Sequence, residues 1–192
     1  HPWGDKLLAE SAVKFYAVFD WQPMLSEMRL IKSPNEIRLM QQAGQITAFG
    51  HIKAMQVTRP NRFEYEIESE ILHEFNRHGA RFPSYNSIIA GGDNACILHY
   101  TENDQPLKDG DLVLIDAGCE FAMYAGDITR TFPVNGKFTQ PQREIYELVL
   151  KAQKRAIELL VPGNSIKLAN DEVIRIKTQG LVDLGILKGD VD

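Results

Sequence analysis

The sequence predicts an α+β domain, an antiparallel sheet flanked by helices. Three observations predict it. Four segments carry helical spacing or helix-capping patterns. A group of short strand-like runs falls between the second and the third. The order is therefore helix, helix, strands, helix, helix, without the strand–helix alternation of a parallel sheet. A length of 192 residues with 44% apolar side chains suffices for one globular core without a disulfide or metal staple.

Residues 1 to about 30 fit no clean motif and begin without Met. They read as a tail, or the remnant of a preceding domain and linker, ahead of a domain over 31–192. The first helix opens in "KSPNEIRLM". Ser33 and Glu36 form a capping-box pattern and Pro34 takes the first helical position. Ile37, Met40, Gly44, Phe49 and Ile52 follow at helical spacing, which predicts a helix over 34–56. Asn61 and Glu64 repeat the capping pattern. Phe63, Ile67, Ile71 and Phe75 then form a stripe at intervals of four, and Gly79 ends the second helix.

The period then changes. "FPSYNSIIAGGDNACILHY" predicts two short strands around a Gly-Gly-Asp-Asn turn. "LVLIDAG" is a short buried strand, and "AGDITRTFPV" alternates from Asp127 onward up to the turn "NGK". Thr139 and Gln142 form a third capping box, for a helix running to about 160. Ser165 caps a fourth helix that ends near Gly185.

Charge and cysteine usage narrow the function. Against 26 acidic residues stand 21 basic ones, a net charge of −5 with no basic stripe, which argues against nucleic acid as a partner. No apolar run is long enough for a membrane-spanning helix. Cys96 and Cys119 are isolated and read as reduced core thiols, so the expected location is cytoplasmic, away from membranes.

The stretch "LVLIDAGCEFAMYAGDITRTF" brings two aspartates, Asp116 and Asp127, into the predicted sheet. A hairpin centred between Phe121 and Ala122 would set them directly opposite, with Cβ atoms roughly 5 Å apart. Like charges so placed repel or share a proton. A divalent cation resolves the conflict, and carboxylate oxygens suit hard ions such as Mn²⁺ or Mg²⁺. The spacing alone leaves open that both aspartates sit at strand ends in solvent.

"ILHYTEN" at 97–103, "DGDLVLIDAG" at 109–118 and "YAGDITRTFPVNGKFT" at 124–139 closely resemble the first half of the catalytic domain of Xaa-Pro aminopeptidases (aminopeptidase P). The resemblance extends over about 25–192 and implies the first half of the pita-bread fold shared with prolidase, methionine aminopeptidase and creatinase. It implies that Asp116 and Asp127 are two of five ligands to a dinuclear metal centre, usually manganese. His99 would lie beside the metals, positioning substrate or stabilising the tetrahedral intermediate, and Tyr85 would line the substrate pocket. Thr129 and Thr131 share the strand of Asp127 and read as β-formers rather than as supports for the site. His1, His51, His73 and His78 lack the context of a ligand, and His73 and His78 are expected in solvent near a helix C-terminus. The remaining ligands in the family's pattern, one His and two Glu, fall after position 192. The chain is thus expected to be a fragment that binds metal weakly and is inactive alone.

The implied activity is release of the N-terminal residue from peptides with proline second, by a metal-dependent aminopeptidase that acts as a homo-oligomer. Two alternatives stand beside it: an Xaa-Pro dipeptidase of the prolidase type, and a non-catalytic pita-bread domain that binds peptides.

Overall fold

The computed structural model describes residues 20–189. The helices are α1 (Gln22–Leu30), α2 (Pro34–Val57), α3 (Glu64–Arg77), α4 (Gln140–Leu159) and α5 (Ile166–Asp183). The strands are β1 (Phe82–Pro83), β2 (Ile88–Gly91), β3 (Leu112–Ala117), β4 (Cys119–Phe121), β5 (Tyr124–Ala125) and β6 (Ile128–Pro133). All of the strands fall between α3 and α4, as the α+β reading expects. Within the segment read as a tail, α1 is helical but buries none of its residues. The rest of that tail, residues 1–19 with His1, lies outside the described residues.

The capping box of α2 forms as expected. The Ser33 amide donates to the Glu36 carboxylate at 2.6 Å, and the Glu36 amide donates to the Ser33 hydroxyl. The buried face of this helix is not the one its largest residues mark. Ile37, Met40 and Ile52 are each more than 40% exposed, whereas Ala43, Ile46, Thr47, Gly50, His51 and Ala54 are buried. Small side chains let α2 approach α3 closely: a Cβ on Gly50 would stand 2.6 Å from the Phe75 ring. Ile67, Ile71 and Phe75 of α3 are fully buried, as their spacing predicts, whereas Phe63, the first residue of the stripe, sits at the N-cap and is 36% exposed. Each such burial stabilises by about 1.5–3 kcal/mol.

The cap of α3 corrects the expectation. The pairing partner is Glu66, whose carboxylate accepts the Phe63 amide at 2.7 Å. Asn61 and Glu64 form no cap, because Glu64 turns inward and is fully buried. At the other end, His78 caps the C-terminus, and both His73 and His78 are exposed, as expected.

The strands form two antiparallel sheets, ordered β2-β3-β6 and β1-β4-β5. β3–β4 and β5–β6 are one long hairpin, bent at Gly118 and Gly126. Its tip is Ala122–Met123, both at positive φ (51° and 71°), the backbone of a two-residue primed turn. On β3 burial alternates: Val113, Ile115 and Ala117 are fully buried with Ile89 and Leu107 in the core beside α2 and α3. Leu112, Leu114 and Asp116 point to the other face and are half-buried.

The expected strand after the Gly-Gly-Asp-Asn turn does not form. Both short strands precede it, and Gly92–Cys96 is a 3₁₀ helix. The chain then runs irregularly to β3, with His99 and Asn103 at positive φ (56° and 49°). Side chains replace the missing strand partner at the edge of β2. The Ile89 amide donates to Asn103 and the Gly91 amide to Glu64.

The capping box of α4 forms, with the Thr139 amide donating to Gln142 at 2.9 Å. Ser165 caps α5 by accepting from the Leu168 amide at 3.2 Å. The two helices pack closely where a Cβ on Gly180 would meet Leu148 at 2.3 Å. Cys119 is buried as expected, but Cys96 is exposed on the 3₁₀ helix and is no core thiol.

Candidate metal centre

The hairpin pairs Asp116 with Thr129, Ala117 with Ile128, and Phe121 with Tyr124. Its turn is therefore centred between Ala122 and Met123, one residue later than expected, and Asp116 does not oppose Asp127. Carried through the bend, this register sets Asp127 opposite Gly118, two positions along from Asp116. An offset of two preserves the face, because side chains alternate with period two. The aspartates still share a face, half-buried for Asp116 and exposed for Asp127.

Two glycines make the bend possible. A Cβ on Gly118 would stand 1.8 Å from the Gly126 carbonyl oxygen, and one on Gly126 would stand 2.2 Å from the Thr47 hydroxyl. Ser84, just after β1, fastens both sides: its amide donates to the Gly118 carbonyl and its hydroxyl to the Gly126 carbonyl. Tyr85 follows directly, which brings its phenol to both carboxylates. Its oxygen lies 2.5 Å from Asp116 Oδ1 and 3.0 Å from Asp127 Oδ1. Burial, and then hydrogen bonding to Asp116 and Asp127, pushes the phenol well above the ordinary tyrosine range. The hydroxyl has one proton to donate, so it serves one carboxylate at a time.

Tyr85, His99, Thr101, Asp116 and Asp127 line one cavity of about 380 Å³. All four site residues marked in the sequence thus meet in one place. A larger cavity of about 480 Å³, beside Leu112, Ile145 and Val149, is apolar and holds no acid–base group apart from Tyr146. Thr131 lines that other cavity, and Thr129 hydrogen-bonds to neither aspartate, which agrees with their reading as β-formers.

The donors at the site fit a hard divalent cation in part. Two carboxylates share a face, and among the described residues no Lys or Arg pairs with either. Also among the described residues, no three His, Cys, Asp or Glu side chains converge to complete a metal shell. Asp116 and Asp127 offer hard oxygen donors on one face, fewer than a closed metal shell takes.

Sequence reasoning missed the support behind them. On successive turns of α2, Thr47 accepts the Cys119 amide at 3.1 Å, and His51 Nε2 lies 3.2 Å from the Ala117 carbonyl. A carbonyl only accepts, so Nε2 carries the proton. Nδ1 is then a bare acceptor, buried with no hydrogen-bond partner among the described residues. Burial holds this imidazole below the ordinary histidine range. The intervals Thr47–His51 and Cys119–Ala117 fit helix and strand periods, but nothing local pairs the two segments.

The chain matches the metallopeptidase family M24 over residues 38–186 and belongs to that family. It is 90% identical to the Xaa-Pro aminopeptidase of Haemophilus influenzae over its whole length, spanning 45% of that protein. It is 62% identical to the Escherichia coli Xaa-Pro aminopeptidase over 175 residues, 91% of this chain and 40% of that one. A variant of Escherichia coli aminopeptidase P, solved in complex with substrate, superposes with a TM-score of 0.93 at 57% identity, covering 97% of this chain and 43% of that one. A zinc-substituted form of the same enzyme, in complex with product, aligns with the same TM-score of 0.93. The architecture is thus that of the aminopeptidase P pita-bread fold, and the chain spans less than half the length of these relatives.

Proposed function

We propose that the intact protein is a metal-dependent aminopeptidase that removes the N-terminal residue from peptides with proline second. The observation that carries this reading is the meeting of Asp116, Asp127, Tyr85 and His99 in one cavity. The names of the relatives supply the substrate class. Asp116 and Asp127 hold two divalent cations, manganese in this reading, and one His and two Glu from the rest of the protein complete the shell. Bound there, the cations supply a Lewis acid and a water of lowered pKa.

The chain's own residues prepare that chemistry. Burial favours the neutral phenol of Tyr85. Its hydroxyl fixes the carboxylate rotamers. His99 donates a hydrogen bond where negative charge develops on the attacked carbonyl. Peptide substrates, homo-oligomeric assembly and a cytoplasmic location complete the proposal.

The test is a calorimetric titration of Mn²⁺ into the intact protein, with Asp127→Asn as comparison and cleavage of Xaa-Pro dipeptides and Xaa-Pro-Xaa tripeptides assayed alongside. Asp127 is exposed, and Tyr85 is its hydrogen-bond partner, so the variant keeps its fold. Expected are loss of metal binding in the variant and cleavage of the tripeptide by the parent. Normal manganese occupancy in Asp127→Asn refutes the ligand assignment, and cleavage confined to dipeptides refutes the aminopeptidase reading.

A further inference from the structure

Glu64 is a fully buried carboxylate with no basic partner among the described residues, and it lies outside the cavity of Asp116 and Asp127. Its four hydrogen bonds all come from one segment. Oε1 accepts from the Gly91 amide at 2.8 Å and the Asn94 side chain at 3.0 Å. Oε2 accepts from the Tyr100 hydroxyl at 2.7 Å and the Gln105 amide at 3.0 Å. Four donors match the lone-pair directions of a carboxylate. They grip the chain from the end of β2, through the 3₁₀ helix and the turn at 97–100, to the return limb.

That turn carries His99. Its φ of 56° is one that a histidine holds where its surroundings impose it. Local composition does not explain it: Ile97 and Leu98 beside it are exposed, at 56% and 85%, and among the described residues no strand pairs with this stretch of backbone. The nearest firm anchor is the following residue. Tyr100 is buried, and its hydroxyl is held by Glu64 and Asn94. Glu64 itself stands one turn from Ile67 and two turns from Ile71 in the core, so the anchor is rigid. Asn103 ties the later limb separately, to Ile89, Ser87 and Glu68.

We infer that Glu64 is a positioning residue for His99: its buried carboxylate, by gathering the segment from Gly91 to Gln105, sets the turn that places the imidazole in the cavity of Asp116 and Asp127. The inference rests on the role given to His99 in the proposed peptidase. Glu64→Gln is a sharp perturbation. An amide nitrogen can replace only one of the two oxygens, and on either side it then faces a backbone N–H that cannot turn round to accept.

The test is a double-mutant cycle in the metal-loaded intact enzyme, read as kcat and KM on an Xaa-Pro-Xaa tripeptide. Glu64→Gln, Tyr100→Phe, His99→Ala and the two pairwise combinations with His99→Ala are compared at equal metal content. Ile71→Val, on the same helix and away from the loop, controls for lost packing. Expected is a fall in kcat of about 10- to 100-fold for Glu64→Gln, as for other groups that orient a functional side chain. KM changes little, Tyr100→Phe gives a smaller fall, and Ile71→Val matches the parent. In the His99→Ala background neither substitution lowers kcat further. A merely structural Glu64 would lower kcat by the same factor in both backgrounds, and that result overturns the inference. Should Glu64→Gln not fold, Tyr100→Phe carries the same cycle alone. If His99→Ala loses turnover while Glu64→Gln and Tyr100→Phe match the parent, positioning is refuted and the reading of His99 survives. If His99→Ala itself matches the parent, both fall.

Discussion

Gly118→Ala adds one methyl group at the bend that joins the two sheets. The added carbon would stand 1.8 Å from the Gly126 carbonyl oxygen, 2.5 Å from its carbon and 2.8 Å from the Ser84 hydroxyl. Ordinary contact is about 3.5 Å, so one strand must move. Gly126 cannot retreat, because Thr47 and the Ala43 carbonyl of α2 stand directly behind it. The strands therefore separate, breaking the bonds from Ser84 to Gly118 and Gly126 and from the Gly126 amide to Cys119. Three hydrogen bonds at about 1 kcal/mol each, with an overpacking cost of about 1–3 kcal/mol, give about 4–6 kcal/mol. That is a large share of an ordinary domain's stability. Gly44→Ala is the comparison: nothing lies within 4 Å of its added carbon on α2, so it stabilises by about 0.5–1 kcal/mol. Urea unfolding followed by far-ultraviolet circular dichroism measures both. The bend also sets the spacing of Asp116 from Asp127, so if the two are metal ligands as proposed, Gly118→Ala should weaken Mn²⁺ binding in the intact protein. A Gly118→Ala variant within about 1 kcal/mol of the parent, with parental metal affinity, refutes the steric argument.

Two further predictions concern single side chains. Burial depresses the His51 pKa, so the unfolded chain takes up the proton first. The stability this contributes is full above about pH 6.5 and is lost as pH falls from there toward the native value. The parent should therefore lose more stability between pH 7 and 5 than His51→Gln does, and parallel pH profiles would refute this. Thr139→Ala removes one half of the capping box at the start of α4 and should cost about 1 kcal/mol in urea unfolding; no change there would mean that Gln142 caps the helix alone.

Local chemistry made much of the fold legible. Ser33, Thr139 and Ser165 begin helices where their patterns place them, because a cap is an interaction between residues three apart. The stripe Ile67–Ile71–Phe75 names its buried face for the same reason. Where a feature depended on what lay opposite, the reading slipped. The residues that bury α2 are small, and only the closeness of Phe75 shows why. Glu64 looked like half of a cap and is instead the buried anchor of a distant loop. The loop around His99 looked like a strand, since nothing in "ILHY" reveals that its neighbours are held by side chains of α3 and not by a strand.

The α+β order and the helix starts are written in the sequence, because each rests on residue type and on spacing within a few turns; hairpin spacing only brought Asp116 near Asp127, and Tyr85 and His99 were marked through the resemblance of their motifs to a known family. Even the error in hairpin register did no harm to the face shared by the aspartates, since a shift of two keeps the parity of a strand. Packing alone sets Asp116 across from Thr129, brings the Tyr85 hydroxyl within reach of both carboxylates, puts Thr47 and His51 behind the hairpin, and turns Glu64 toward the loop that carries His99. Those relations join residues 13 to 72 positions apart. They exist only where close packing brings backbones together, at Gly50, Gly118 and Gly126, and no local propensity encodes which backbone will be met.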